Sequence, residues 1–298
     1  MSFEVRFIVR RERPFDEELL VARLAAQRHW TRADASGAVR WWYRNPDTGV
    51  YCTLEHDDAP APAGYTSAKL LAALNYARPS FFALETVPLI VELAAASGLL
   101  VIDPQDHELG GSGRPKEARA EDLIATWRAG NRLALAAARA SGITLPAMPH
   151  DRAHAWWRYQ SRRGELAAQL GESAYAPDLK LVRRRDGNEV QRLLVWSEGN
   201  PSLLPACDVV AVVRPLPGGE LAMRGCMSYG DLLSRLAPYL SEHTAAEAPL
   251  LAADRAMVVP RLPDDALAPF EGYEAVGADA FTDEGRSERR AYGSLGYD

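Results

Sequence analysis

Leu70–Gln105 reads LLAALNYARPSFFALETVPLIVELAAASGLLVIDPQ. It carries few charges, breaks at Arg78-Pro79 and ends in a short apolar run closed by Asp103-Pro104. A residue before proline is driven out of the helical region, so the chain leading to Pro79 reads as a strand over Lys69–Tyr76. A helix follows with Ser80 as its N-cap, Gly98 stops it, and Leu99–Asp103 forms a short buried strand. Pro88 is the difficulty, because in mid-helix it removes a donor and clashes one turn back. A restart capped by Thr86, with Pro88 in the new first turn, relieves that conflict.

Upstream, Phe3, Val5, Phe7 and Val9 alternate with Glu4, Arg6 and Ile8, the period of a strand with one buried face. Pro14 leads into Asp16, Glu17 and Glu18, acids suited to the positive end of a helix that carries Leu20, Val21 and Leu24 to about Arg28. Val39–Arg44 and Val50–Glu55 flank Asn45-Pro46-Asp47-Thr48-Gly49, which predicts a hairpin. Residues 1–106 are therefore expected to form a ferredoxin-like β-α-β-β-β-α-β domain of the α+β class: an antiparallel sheet with helices on one face.

Residues 107–172 read as a linker and a helical hairpin. The linker, HELGGSGRPK (107–116), has the glycines of a phosphate loop but not its spacing, since Lys116 follows a proline and no Ser or Thr comes next. The first helix has Leu123, Trp127, Ala134 and Ala138 at helical spacing, with Asn131 on or beside the stripe, and stops at Gly142. The second runs from Asp151 to about Leu170, with Trp156 and Trp157 as its apolar bulk. Residues 173–280 read as a second α+β domain of antiparallel hairpins. Leu179–Arg184 and Val190–Trp196 lie around Asp186-Gly187-Asn188, and Asp208–Arg214 and Glu220–Met227 around Pro217-Gly218-Gly219. A helix over Tyr229–Leu240 and a last strand within Leu250–Pro260 complete it. The tail, 281–298, lacks an apolar face and reads as mobile.

At 298 residues, 47% hydrophobic and 25% charged, the composition is that of an ordinary globular protein. A net charge of −6 offers no general attraction to nucleic acid. The opening MSFEVRFIVRR has no uninterrupted apolar core, so no signal peptide is expected, and the longest apolar run, Leu93–Ile102, is far short of the roughly 20 residues of a membrane span. Cys52, Cys207 and Cys226 form no paired spacing and suit reduced thiols of a cytoplasmic protein.

Several residues are candidates for a site. Adjacent strand residues face opposite sides, so one of Trp41 and Trp42 should leave the core, either as an interface anchor or under cover of the second domain. At the strand-to-helix junction stand Asn75, Arg78 and Glu85; Arg78 pairs with Glu85 or holds an anion. Arg183, Arg184 and Arg185 are the one dense basic cluster, a partner surface or a solvated hairpin tip. His150 and His154, four apart on a helix, share a face as metal ligands often do, yet no H-E-x-x-H pattern accompanies them. Asp103, Asp106, His107 and Glu108 crowd a strand end, where they do acid–base work or solvate a loop.

The sequences NYARPSFFALE (75–85) with LLVIDPQ (99–105), and LLVWSEGNPSLLPACDVV (193–210), resemble accessory proteins of bacterial conflict or self-immunity loci. The resemblance covers a small share of the chain, rests on structural positions and transfers no catalytic residue. With no complete catalytic constellation and no cofactor motif, the expectation is a non-enzymatic cytoplasmic module that binds another protein. The alternative is a metal-assisted hydrolase using His150, His154 and the Asp103–Glu108 cluster.

Overall fold

In the computed structural model the opening alternation becomes β1 (Ser2–Arg10), with Phe3, Val5 and Phe7 buried on one face. The structure describes residues 2–13, 15–33, 38–105 and 113–283. It is an α+β protein in two units. One runs to Leu145 and takes in Thr282 and Asp283; the other is Pro146–Phe281.

In the N-terminal unit Asp16 caps α1 (Glu17–Ala26) by accepting the Leu19 N–H at 2.9 Å, and the helix buries Leu20 and Leu24. Then come β2 (Trp30–Arg32), β3 (Val39–Arg44), β4 (Tyr51–His56), β5 (Tyr65–Asn75), α2 (Phe81–Ala96) and β6 (Leu100–Ile102). The sheet order is β2-β3-β4-β5-β1-β6, with every neighbouring pair antiparallel. Five strands were expected. The sixth, β2, is three residues long and buries only Trp30, too little for a period to show.

The helix α2 corrects the expected restart at Thr86. It is continuous through Pro88, and Thr86 sends its hydroxyl back to the Phe82 carbonyl at 2.7 Å. Eight of its 16 residues are buried, among them Phe81, Phe82, Val87, Ile90 and Leu93. Burying each large apolar side chain contributes about 1.5–3 kcal/mol, which together exceeds the ~3 kcal/mol cost of an interior proline. Pro88 is itself exposed. Ser80 stands at the N-cap position but does not cap; its N–H and hydroxyl both donate to Asp283. At the other end Gly98, at φ +64°, closes a Schellman turn with Leu99 N–H on the Ala94 carbonyl at 2.9 Å.

Beyond β6, Val101 exchanges two backbone hydrogen bonds with Lys116, so the expected linker ends as an addition to the sheet edge. The two helices expected as one connector fall in different units. In the first, α3 (Ala120–Ala140), the buried stripe is Leu123, Trp127, Asn131 and Leu135 rather than one through Ala134 and Ala138, and it packs on α2. The expected mobile tail begins too early, since Phe281, Thr282 and Asp283 are buried; residues 284–298 lie outside the described part.

The C-terminal unit opens with α4 (His150–Leu170), anchored by Trp156 Nε1 donating to the Leu179 carbonyl at 2.8 Å. The two expected hairpins form, as β7 (Lys180–Arg184) with β8 (Val190–Ser197), and β10 (Val209–Pro215) with β11 (Leu221–Ser228). They are not simply antiparallel, because β8 and β10 pair in parallel. The crossover between them carries β9 (Ser202–Leu203) into a second sheet. The helix expected over Tyr229–Leu240 is α5 (Tyr229–Leu236), ended one turn short around Pro238, and Leu240 already belongs to β12 (Leu240–His243). In place of a strand within 250–260 there are β13 (Ala248–Leu251) and the single turn α6 (Ala253–Ala256). The last strand is β14 (Tyr273–Ala275), at the edge of the five-stranded sheet beside β7.

Candidate functional site

The junction residues singled out in the sequence are not brought together. Asn75 is exposed at the end of β5. Arg78 donates to Tyr51 Oη at 3.1 Å and to the Ala77 carbonyl at 3.2 Å instead of pairing with Glu85. Glu85 Oε1 accepts from Tyr43 Oη at 2.8 Å, Asn45 Nδ2 at 2.8 Å and Thr48 Oγ1 at 3.0 Å. It pins the β3–β4 turn to α2. Burial, reinforced by the Glu85 charge, raises the Tyr43 phenol and the Cys52 thiol above their usual ranges. Burial also pushes the Cys207 thiol up to about 12 and raises that of Cys226, so none of the three cysteines is poised as a thiolate nucleophile.

The junction itself is held by Asn131 of α3, fully buried. Its Oδ1 accepts the Ala77 N–H at 2.7 Å and the Arg78 N–H at 3.4 Å, and its Nδ2 donates to the Arg78 carbonyl at 3.1 Å. Ala77 is left-handed, at φ +58°, a conformation a non-glycine residue keeps only under such constraint. α3 comes this close because residue 130 is glycine; a Cβ there would lie 2.3 Å from Tyr76 Oη.

Two of the three arginines of the basic hairpin are paired with acids of their own unit. Arg183 Nε donates to Glu274 at 2.6 Å, and Arg184 pairs with Asp186 at 3.2 Å and lies over the Tyr273 ring. Arg185 N–H donates to the Gly272 carbonyl at 2.9 Å. Trp41 and Trp42 take opposite faces. Trp41 is buried, and Trp42 is half-buried under Arg44, whose guanidinium lies 4.2 Å from the ring centroid. The His150 and His154 rings are adjacent, 4.0 Å between centroids, with His154 also edge-on to Trp157. Asp103 is buried and accepts the Gln105 N–H at 3.0 Å; Asp106, His107 and Glu108 lie outside the described residues.

A site not read from the sequence lies between α1 and the β2–β5 side of the sheet. It is a recess of about 570 Å³, within the range of small-ligand pockets. Leu20, Trp41, Ala68 and Leu70 form its buried floor, and Phe15, Val21 and Val39 its walls. Glu17, Arg32, Arg40, His56 and Asp58 stand at its rim. Two breaks in strand register meet at this corner. On β3, Val39 faces Glu55 and Trp41 faces Leu54, leaving Arg40 as an extra residue. On β5 the pairing with β1 jumps from Ser67 to Leu70, with Lys69 left-handed at φ +52°. Such bulges re-aim side chains, and here both Arg40 and Trp41 border the recess.

Arg40 Nη2 lies 2.6 Å from His56 Nδ1, and His56 Nε2 lies 2.7 Å from Asp58 Oδ1. A guanidinium N–H can only donate, so Nδ1 accepts and the ring proton sits on Nε2, facing Asp58. Arg40 Nη1 is 3.4 Å from the exposed Glu17. The neighbouring Asp57 turns to the other face and pairs with Arg6 at 2.7 Å. His56 was detectable in principle, because it continues the Cys52–Leu54 phase of β4 with a polar residue. Arg40 was not, since the bulge suspends the period that would have placed it.

No protein-family model, curated protein or solved structure matches this chain. Among the described residues no helix is long and apolar enough to cross a membrane.

Proposed function

We propose that this chain is a non-enzymatic, cytoplasmic binding protein whose N-terminal unit seats an apolar group of a protein partner in the recess under α1. The observation that carries this is the meeting of two strand bulges at an apolar floor rimmed by the Arg40–His56–Asp58 chain. Backbone irregularity collected at one concave corner is characteristic of a site, and binding sites join apolar surface to a few placed polar groups. The buried, protonated cysteines favour binding over nucleophilic chemistry. The resemblance of residues 75–85, 99–105 and 193–210 to accessory proteins of conflict or self-immunity loci favours a protein as the target. The last strand lying beside the first, after α2, supports a ferredoxin-like reading of the N-terminal sheet.

The test is capture from the native host with the tagged chain, followed by binding of the purified partner to Arg40→Glu and Ala68→Phe, with thermal melts as fold controls. Both variants are expected to stay folded and lose the partner. A partner held equally by both would overturn the recess as the site.

A second reading rests on the adjacent rings of His150 and His154, whose imidazole nitrogens could hold a transition metal ion for hydrolysis. Zinc titration separates the readings: stoichiometric binding lost in His150→Ala and His154→Ala would favour the second.

A further inference from the structure

The geometry points to a carboxylate carried on an apolar body as the ligand of the recess, an inference that rests on the recess being the binding site. The carbon surfaces of Leu20, Leu70 and the Trp41 ring belong to the buried floor, so the part of a ligand that rests on them is apolar. The charge at the rim then decides what that body carries. The close acceptor of Arg40 is an imidazole nitrogen at 2.6 Å, which brings no negative charge to it. The carboxylate of Glu17 is farther off at 3.4 Å and, with two-thirds of its side chain exposed, largely screened. Among the described residues Glu17 is the one carboxylate that reaches Arg40, and only at 3.4 Å, while Arg32 adds a second exposed cation at the same rim.

A neutral apolar ligand would cover the Arg40 guanidinium without a counter-charge, which is costly. A carboxylate offers two oxygens to the guanidinium fork. A cationic ligand would meet Arg40 and Arg32. A phosphate dianion would face Glu17 and Asp58 across the same rim, and the start of α1 is already served by the Asp16 carboxylate, so a monoanion fits best. Such a group comes from two sources: a free apolar carboxylic acid, or the last residue of a protein chain ending in an apolar side chain.

Calorimetry on the full chain distinguishes them. The probes are octanoate against octan-1-ol, and a hexapeptide ending in leucine as free acid against the same peptide as amide. Arg40→Gln and Arg32→Gln are the variants, and thermal melts serve as fold controls. The expected result is saturable binding of a carboxylate probe, weakened about tenfold or more in the alcohol or amide and in Arg40→Gln. Octanoate binding as tightly as the peptide acid assigns a free acid, whereas a tighter peptide acid assigns a protein C-terminus. Equal binding of acid and uncharged probe, binding indifferent to Arg40→Gln, or no binding of any probe overturns the inference. If Ala68→Phe still abolishes capture of the partner while no carboxylate probe binds, the protein-binding reading stands and the ligand class alone falls.

Discussion

Asn131 and Arg40 are both polar side chains set against apolar neighbours in the N-terminal unit, and their hydrogen bonds are completed differently. Asn131 accepts two N–H groups from the backbone of residues 77 and 78 and donates to one of its carbonyls. Glu85 likewise accepts from Tyr43 on β3 and from Asn45 and Thr48 in the turn that follows. In the C-terminal unit Arg192 and Asp208 form a bidentate pair, and the Arg192 N–H adds a third bond. These networks close on themselves and fix the path of the chain. Arg40 closes on an imidazole and reaches only loosely toward an exposed acid, so its bonding capacity is still available at the mouth of a recess. A closed polar network specifies the fold; an open one beside an apolar floor is equipped for a ligand.

The contrast makes graded predictions. The largest effect belongs to Asp208→Ala, which leaves the Arg192 charge buried without its partner and should cost about 3–5 kcal/mol in urea unfolding. The same pair sets a pH dependence. Burial works against the Asp208 carboxylate, but hydrogen bonds from Arg192 and the charges of Arg192 and Arg152 outweigh it and hold the carboxyl below its usual range. A carboxyl lowered by folding stabilises the protein above its unfolded pKa of about 4 and loses that contribution as pH falls through the folded value. Acid titration of stability should therefore flatten in Asp208→Asn.

Next comes Asn131→Leu, which strands the Ala77 N–H and the Arg78 carbonyl and should cost about 3 kcal/mol. Gly130→Ala, which pushes Tyr76 aside, should cost about 2 kcal/mol. Glu85→Gln keeps an acceptor but removes its charge, for about 1–2 kcal/mol. Smallest is Arg40→Gln, expected within about 0.5 kcal/mol of wild type while the partner is lost. A large loss of stability in Arg40→Gln would erase the distinction between closed and open networks.

The fold was legible wherever a period ran undisturbed. The alternation of β1, the turn between β3 and β4, both C-terminal hairpins and the strand–helix–strand order of residues 70–105 all follow from it. Reading failed where one local rule was outweighed by packing. Pro88 signals a break that the buried face of α2 overrides. Trp30–Arg32 is too short to show a period, and the parallel pairing of β8 with β10 depends on a crossover that no local pattern records. The site was less legible than the fold. The tryptophans, the junction residues and the arginine triplet all drew attention by composition, yet Glu274, the partner that neutralises Arg183, stands 91 positions away. Arg40 owes its place to a bulge, and the recess is assembled from four strands and a helix whose residues are individually unremarkable.

Hydrogen–deuterium exchange of the full chain, with and without its purified partner, tests the central claim most directly. The account predicts new protection in peptides covering residues 15–21, 38–41, 54–58 and 65–70, with the Asn131 and Glu85 networks already protected in the unbound chain. Protection confined to the hairpin at residues 180–192, or none around the recess, would contradict it.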